Sequence, residues 1–361
     1  MKATIALVQG DAAGIGAELL VKLLDDESVR ARANILIVSD ARVYRAGCEV
    51  TGLNPPIRAI LQIDDMDFND GVANILDVPG VDPSEVPLGK VSVAAGGAVL
   101  KCFGQALDFA EAGKVDGICF MPFNKEAMHR AGLDAEDELQ WAKKRLGYQG
   151  RASEFNVIDG MWNARVTSHV PLREVADLLT IERIVEAIEL ADRTLKEAGF
   201  DEPRIAVAAI NPHAGDGGQI GREEIDVIAP AVKRARRMKI RADGPFPSDT
   251  LYIKVRDKQY DCAVSMYHDQ GQIAIKLLGF HMGVSVLGGL PIPVATPAHG
   301  TAFDIAGTNT ANPTAAVLSA AMMLDFLGET EAAARVNKAC ADPSALTGTT
   351  TEIGDTIAGR V

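Results

Sequence analysis

Three of the six histidines, His169, His213 and His268, each stand just past a short apolar run that reads as a β-strand. The densest of these sites is Met266-Tyr267-His268-Asp269-Gln270-Gly271-Gln272-Ile273-Ala274-Ile275-Lys276. It gathers an imidazole, a carboxylate, an amide and a lysine directly after the run Asp261–Ser265. Polar groups left unpaired away from water are costly, so a buried strand that delivers this many implies a use for them. In open α/β folds that use is a site at the carboxyl ends of the strands. Imidazole is a common ligand for first-row divalent ions. We therefore expect His169, His213 and His268 to meet on one divalent ion: zinc, manganese, cobalt or magnesium. Three protein ligands with open positions are catalytic in type, because structural zinc sites are closed by four. Asp249 and Asp269 are expected to accept hydrogen bonds from the liganding rings and so fix their tautomers. His129, inside a predicted helix, and His281, in a Gly-Phe-His-Met loop, lack such a setting.

The elements that must carry these residues follow from the pattern. Ile5–Val8 reads as a first strand, followed by a glycine-rich turn and a helix over 17–24. The spacing Gly10-x-x-x-Gly14-x-Gly16 is not the dinucleotide fingerprint GxGxxG. Further strands are predicted at 34–38, 117–121, 204–210 and 260–266, with a hairpin of 155–158 and 164–167 around Asp159-Gly160. Helices are predicted at 92–112, 126–131, 133–147, 181–198, 223–239 (kinked at Pro230) and 314–327. Asp243–Thr250 reads as a loop. The chain after Leu327 reads as an alanine-rich helix and a Gly/Thr-rich tail. Strands alternating with helices give the α/β class. Lys125 falls where a strand meets a helix N-terminus, a good position for an anion.

Composition narrows the function. With 361 residues and 47% hydrophobic content the chain can form two domains or one large one. A net charge of −13 argues against nucleic acid as a partner. Five scattered cysteines without a CxxC pair read as buried reduced thiols, and no apolar run is long enough to span a membrane. A cytoplasmic enzyme acting on a small molecule is the expectation. Pattern alone leaves open a metal-assisted dehydrogenase and a metal-dependent hydrolase or lyase.

The stretch His299-Gly-Thr-Ala-Phe-Asp304-Ile-Ala-Gly-Thr-Asn-Thr-Ala-Asn312-Pro313 resembles the adenosine-binding loop of isopropylmalate and isocitrate dehydrogenases. More closely, the chain resembles the 4-hydroxythreonine-4-phosphate dehydrogenase (PdxA-like) family. The landmarks are Gly10-Asp11-x-Ala13-Gly14-Ile15-Gly16, Asn124-Lys125, His169-Val-Pro-Leu172, Asn211-Pro-His213-Ala-Gly215, Asp249-Thr250-Leu251, Tyr267-His-Asp-Gln-Gly271, Lys276 and His299-Gly-Thr-Ala302.

That resemblance implies the two-domain isopropylmalate-dehydrogenase-like architecture, with α/β/α layers and the active site in the interdomain cleft. Residues 1–128 plus 287–361 would form the domain with the NAD-binding loop. Residues 129–286 would carry the metal ligands and the dimer interface. It implies a homodimer with shared sites, His169 and His213 from one subunit and His268 from the other. Lys276 would bind substrate and relay a proton. NAD would lie on His299, Gly300, Thr301, Ala302, Asp304 and Asn312, with Asp304 disfavouring the extra phosphate of NADP. The reaction implied is oxidation of a secondary alcohol, with decarboxylation where a carboxylate lies β to the new ketone.

The chain departs from the family pattern at the substrate. Asp137-Glu138-Leu139-Gln140 stands where the family has Gly-His-Thr-Glu, so Glu138 and Leu139 replace its His and Thr. Ser285 replaces an Asn, and Val294 an Arg. A guanidinium fork is a preferred partner for phosphate, and valine cannot replace it. The expectation is the family's chemistry on a small hydroxy acid or diol that need not be phosphorylated. A binding protein that keeps the fold without turnover is a third reading.

Overall fold

The structure is a computed structural model and describes residues 2–25 and 33–361. The chain divides into two compact units, residues 1–149 with 290–361, and residues 150–289.

The first unit opens with β1 (Thr4–Val8), the glycine-rich turn and α1 (Gly16–Asp25). β2 (Asn34–Ser39), α2 (Ala41–Thr51), β3 (Ile57–Ile60) and β4 (Ala73–Asp77) follow. The long helix α3 (Val93–Glu111) starts on its cap Ser92, whose hydroxyl accepts the Ala95 N–H. β5 (Gly117–Phe120), α4 (Lys125–Arg130) and α5 (Glu138–Arg145) complete this stretch.

The second unit holds β6 (Ser153–Ile158), β7 (Met161–Arg165), α6 (Ile181–Glu197), β8 (Ile205–Ala208), α7 (Ala229–Arg237) and β9 (Ala242–Phe246). It continues through α8 (Ser248–Arg256), β10 (Cys262–Ser265), α9 (His268–Gly279) and β11 (Val284–Gly288). The chain then returns to the first unit with β12 (Val294–Pro297), α10 (Thr314–Phe326), α11 (Thr330–Ala339) and α12 (Thr350–Ala358).

Strands of the first unit lie in the order β3-β4-β2-β1-β5-β12, parallel throughout. Those of the second lie in the order β11-β6-β7-β10-β8-β9. Here β6 pairs antiparallel with β11 and β7, while β7, β10, β8 and β9 run parallel. The cores are aliphatic, as the low aromatic content requires; Leu36, Ile37 and Val38 of β2 are wholly buried. A fully parallel sheet covered on both faces selects such continuous runs.

Several expectations are corrected. Residues 243–246, expected within a loop, belong to the edge strand β9, where Pro245 is tolerated because one side has no partner strand among the described residues. The same predicted loop contains the start of α8. The Gly/Thr-rich tail contains α12, begun by a capping box in which Thr349 and Glu352 exchange hydrogen bonds. The hairpin's second strand starts at Met161, directly after the two-residue turn Asp159-Gly160, both with positive φ. The kink before Pro230 is a π-helical turn over Glu224–Ile228. The first crossing between units comes after residue 149 rather than 128, and the second after 289 rather than 286. α5 stays with the first unit because Trp141 stacks on Phe103 of α3 at 5.9 Å and Arg145 pairs with Asp108. Among the described residues no helix is long and apolar enough to cross a membrane.

Candidate active site

β7, β10 and β8 are neighbours and parallel, so their carboxyl ends open on one edge of the second unit. His169 follows β7, His268 follows β10 and His213 follows β8. The ladder runs on past the end of β7. Val166 N–H donates to Ser265 O at 2.9 Å, and Thr167 donates to Met266 O through both its N–H (3.2 Å) and its hydroxyl (2.8 Å). The rings of His169 and His268 then lie with centroids 5.7 Å apart.

His268 is the first residue of α9. Its Nδ1 lies 2.7 Å from Asp269 Oδ1, the arrangement that leaves Nε2 as the nitrogen with a lone pair. Asp269 is thus within hydrogen-bond reach of the His268 ring. Asp249 is exposed in the first turn of α8 and makes no hydrogen bond to a histidine among the described residues.

Gln270, the amide of this stretch, has a tethering part that the sequence pattern alone does not assign. Its Oε1 accepts the Met266 N–H at 2.6 Å. Its Nε2 donates to Ala209 O and Ser248 Oγ, both at 2.7 Å. One amide thus ties the ends of β10 and β8 to the start of α8. Its place two residues after a candidate ligand, in the first turn of a helix, was the available signal.

His213 opens a turn in which residues 213–217 all have positive φ, from 44° to 79°. Such left-handed backbone costs about 1–2 kcal/mol for each residue with a Cβ, and the structure around it holds it there. Glu224 Oε1 accepts the N–H groups of Ile210 (2.9 Å) and Asn211 (2.7 Å), and the Asn211 side chain donates to Glu223 and Glu224. Burial alone would raise the Glu224 pKa, but the hydrogen bonds from Asn211 and Ile210 outweigh it and leave the carboxyl below its ordinary value.

Lys276 is exposed on α9, two i,i+4 steps beyond His268 on the same side of the helix. Ser285 is buried, and its hydroxyl donates to Glu154 at 2.6 Å and accepts from Asn156 at 3.2 Å.

The remaining candidates lie in the first unit. Lys125 begins α4 and its Nζ stands 3.5 Å from Glu138 Oε2. Leu139 is buried in α5 and Val294 is wholly buried in β12. The 299–312 segment is held along its length. Ile15 N–H donates to Thr301 O at 3.1 Å, and a Cβ on Gly14 would stand 2.8 Å from that oxygen, so glycine is required for the approach. Asn309 N–H donates to Glu18 Oε2 at 3.0 Å, and Thr350 Oγ1 donates to Ala311 O at 2.7 Å. Asn312 Oδ1 accepts the Thr314 N–H at 2.9 Å, two residues on, just before α10 begins. Asp304 is exposed on this segment, where a ribose can reach its carboxylate. His299 Nδ1 stays within the segment, 3.1 Å from Gly300 O. Gly300 is exposed, Thr301 is buried, and Ala302 has a left-handed backbone with φ 42°. The segment fits a nucleotide that is read through backbone and carboxylate contacts.

Residues 31–323 match the family model of the pyridoxal phosphate biosynthetic protein PdxA. The chain belongs to the PdxA family. Among its relatives is a Pseudomonas aeruginosa protein named provisionally as 4-hydroxythreonine-4-phosphate dehydrogenase 2, 48% identical over 85% of this chain and 92% of that protein. D-threonate 4-phosphate dehydrogenase of Salmonella typhimurium is 36% identical over 85% of this chain and 94% of its own length. The crystal structure of 4-hydroxythreonine-4-phosphate dehydrogenase from Klebsiella pneumoniae superposes with a TM-score of 0.78 at 35% identity, covering 90% of this chain and 98% of that one. Isocitrate dehydrogenase from Methylococcus capsulatus shares the fold, with a TM-score of 0.54 at 15% identity and 99% coverage of both chains. The PdxA-like and isocitrate-dehydrogenase-like architecture expected from the sequence is the observed one.

Proposed function

We propose that this PdxA-family chain is an NAD- and divalent-metal-dependent dehydrogenase that oxidises the secondary alcohol of a small hydroxy acid. The observation that carries this is the delivery of His169, His268 and His213 from the carboxyl ends of the adjacent parallel strands β7, β10 and β8, in a chain whose relatives bear dehydrogenase names. His169, His213 and His268 would hold the ion, and the 299–312 segment the nucleotide. When bound, the two groups supply the Lewis acidity and the hydride acceptor that alcohol oxidation requires.

The chain's own residues do the rest. Asp269 keeps the His268 proton on Nδ1. Gln270 and the Glu223–Glu224 pair hold the loops that present the rings. Lys276 orients the substrate and moves the hydroxyl proton. Lys125, beside Glu138 in the first unit, offers an ammonium to an anionic group of the substrate.

Both relatives are named for phosphorylated substrates, which favours a small phosphorylated hydroxy acid. A second reading, an unphosphorylated hydroxy acid or diol, is favoured by two residues. Val294 is wholly buried, and the Ser285 hydroxyl is engaged by Glu154 and Asn156, so neither offers phosphate a partner. Specificity constants with NAD for D-threonate 4-phosphate against D-threonate decide between them. A clear preference for the phosphate ester supports the first reading, and the reverse supports the second. Carbon dioxide release from the better substrate reports whether decarboxylation follows.

We also propose a homodimer with shared sites. Ile273, Leu277 and Leu278 on α9 are exposed apolar residues on the helix that carries His268 and Lys276. Such a cluster marks an association surface.

A further inference from the structure

A buried charge lies at the end of β7, four residues before His169. Arg165 ends β7 with its side chain only 3% exposed. Its three nitrogens all donate: Nη2 to Glu154 Oε2 at 2.6 Å, Nη1 to Asn156 Oδ1 at 3.0 Å and Nε to Ser168 Oγ at 3.2 Å. Asn156 is itself fully engaged. Its Oδ1 also accepts from Gln272 Nε2 at 2.5 Å, and its Nδ2 donates to Glu154 and Ser285.

Strand register assembles this cluster. Glu154 and Asn156 are two residues apart on β6 and so share a sheet face, and Ser285 of β11 pairs directly with Asn156. A leucine at Arg165 would satisfy a buried strand at less desolvation cost, since replacing buried ion pairs with apolar residues is often neutral or stabilising. The cluster reaches upward at two points. Ser168 immediately precedes His169. Gln272 stands one i,i+4 step from His268 on α9.

Resting on the metal-site reading above, we propose that Arg165 is a positioning residue: clamped by Glu154 and Asn156, it sets His169 through Ser168 and ties the helix of His268 to the same frame through Gln272. Groups that orient metal-binding histidines typically contribute about 10- to 100-fold in metal affinity. Ser285 then belongs to this frame and does not touch substrate.

The test is titration of the metal-free full-length protein with cobalt(II), read by calorimetry and by the visible cobalt spectrum, which reports ligand geometry. Thermal unfolding is followed in parallel. The variants are Ser168→Ala, which removes only the upper contact, and Arg165→Lys, which keeps the charge against Glu154 but loses the fork. The expected result is affinity weakened by about tenfold or more and an altered cobalt spectrum in Ser168→Ala, with the unfolding midpoint close to the parent's. Arg165→Lys should behave alike, and if it fails to fold, Ser168→Ala alone decides. Parent-like affinity and spectrum in Ser168→Ala would overturn the proposal while leaving the metal site standing. A parent protein that binds no cobalt, or binds it equally well after His169→Ala, would overturn the metal site and this inference together.

Discussion

Glu18 on α1 accepts the backbone N–H of Asn309 at 3.0 Å, so one buried carboxylate anchors the far end of the segment assigned to NAD. Burial pushes the Glu18 pKa up to about 7, against the lowering effect of the N–H groups of Asn309 and Gly307. A carboxyl raised on folding binds its proton more tightly in the native state. Its stabilising contribution is full below about pH 4.5 and is lost as pH rises to about 7. Glu18→Gln removes the titration and keeps an acceptor oxygen. Urea unfolding across this window should show stability falling with pH in the parent and a flatter profile in Glu18→Gln, the difference on the order of 1–3 kcal/mol. Parallel profiles would reject the assignment.

The turn after β8 predicts an inverted glycine effect. Ala214 sits at φ 55°, ψ 41°. An ordinary Ala→Gly change in regular structure costs about 0.5–1 kcal/mol. At this position Ala214→Gly relieves a left-handed conformation and should be neutral or stabilising by up to about 1 kcal/mol. Chemical denaturation reads the sign. A clear loss of stability would mean that the methyl group makes contacts that outweigh the strain.

Asp304 is exposed on the 299–312 segment, where its carboxylate would accept from a ribose and repel a 2′-phosphate. NAD should bind more tightly than NADP by calorimetry, and Asp304→Ala should narrow the gap. Equal affinities in the parent protein would remove Asp304 from the cofactor assignment.

The proposed homodimer, with His169 and His213 from one subunit and His268 from the other at each site, predicts complementation. Neither His213→Ala nor His268→Ala alone should turn over. Mixed dimers of the two should recover part of the parent rate, because one of the two sites regains all three histidines. Verified mixed dimers without activity would show that one chain supplies both residues to each site.

Much of this organisation is written locally in the chain. The strands before His169, His213 and His268 announce themselves as apolar runs ending in polar clusters, and their ends do lie on neighbouring strands. What could not be read depends on partners distant in sequence. Arg165 looks like the polar end of a strand until β6 brings Glu154 and Asn156 against it, both bonded in turn to Ser285 of β11. Asp249 and Asp269 look alike in sequence, yet only Asp269 reaches a ring. β9 carries the loop-like sequence Asp243-Gly244-Pro245 because an edge strand tolerates it. α12 is disguised by glycines and threonines, although its capping box was legible at Thr349 and Glu352. The unit boundary slipped because only packing on α3 assigns α5 to the first unit.

The most direct test of the central claim is the near-ultraviolet absorbance of reduced nicotinamide when the protein meets NAD and a panel of small hydroxy acids, phosphorylated and not. It is run before chelation, after chelation, and after restoring manganese, cobalt, zinc or magnesium. The account predicts NAD reduction with at least one hydroxy acid, abolished by the chelator and recovered with metal. His169→Ala and His268→Ala should each lose most of the rate. Consumption of substrate without any nicotinamide, or NAD reduction indifferent to chelation and to both histidine variants, would contradict it.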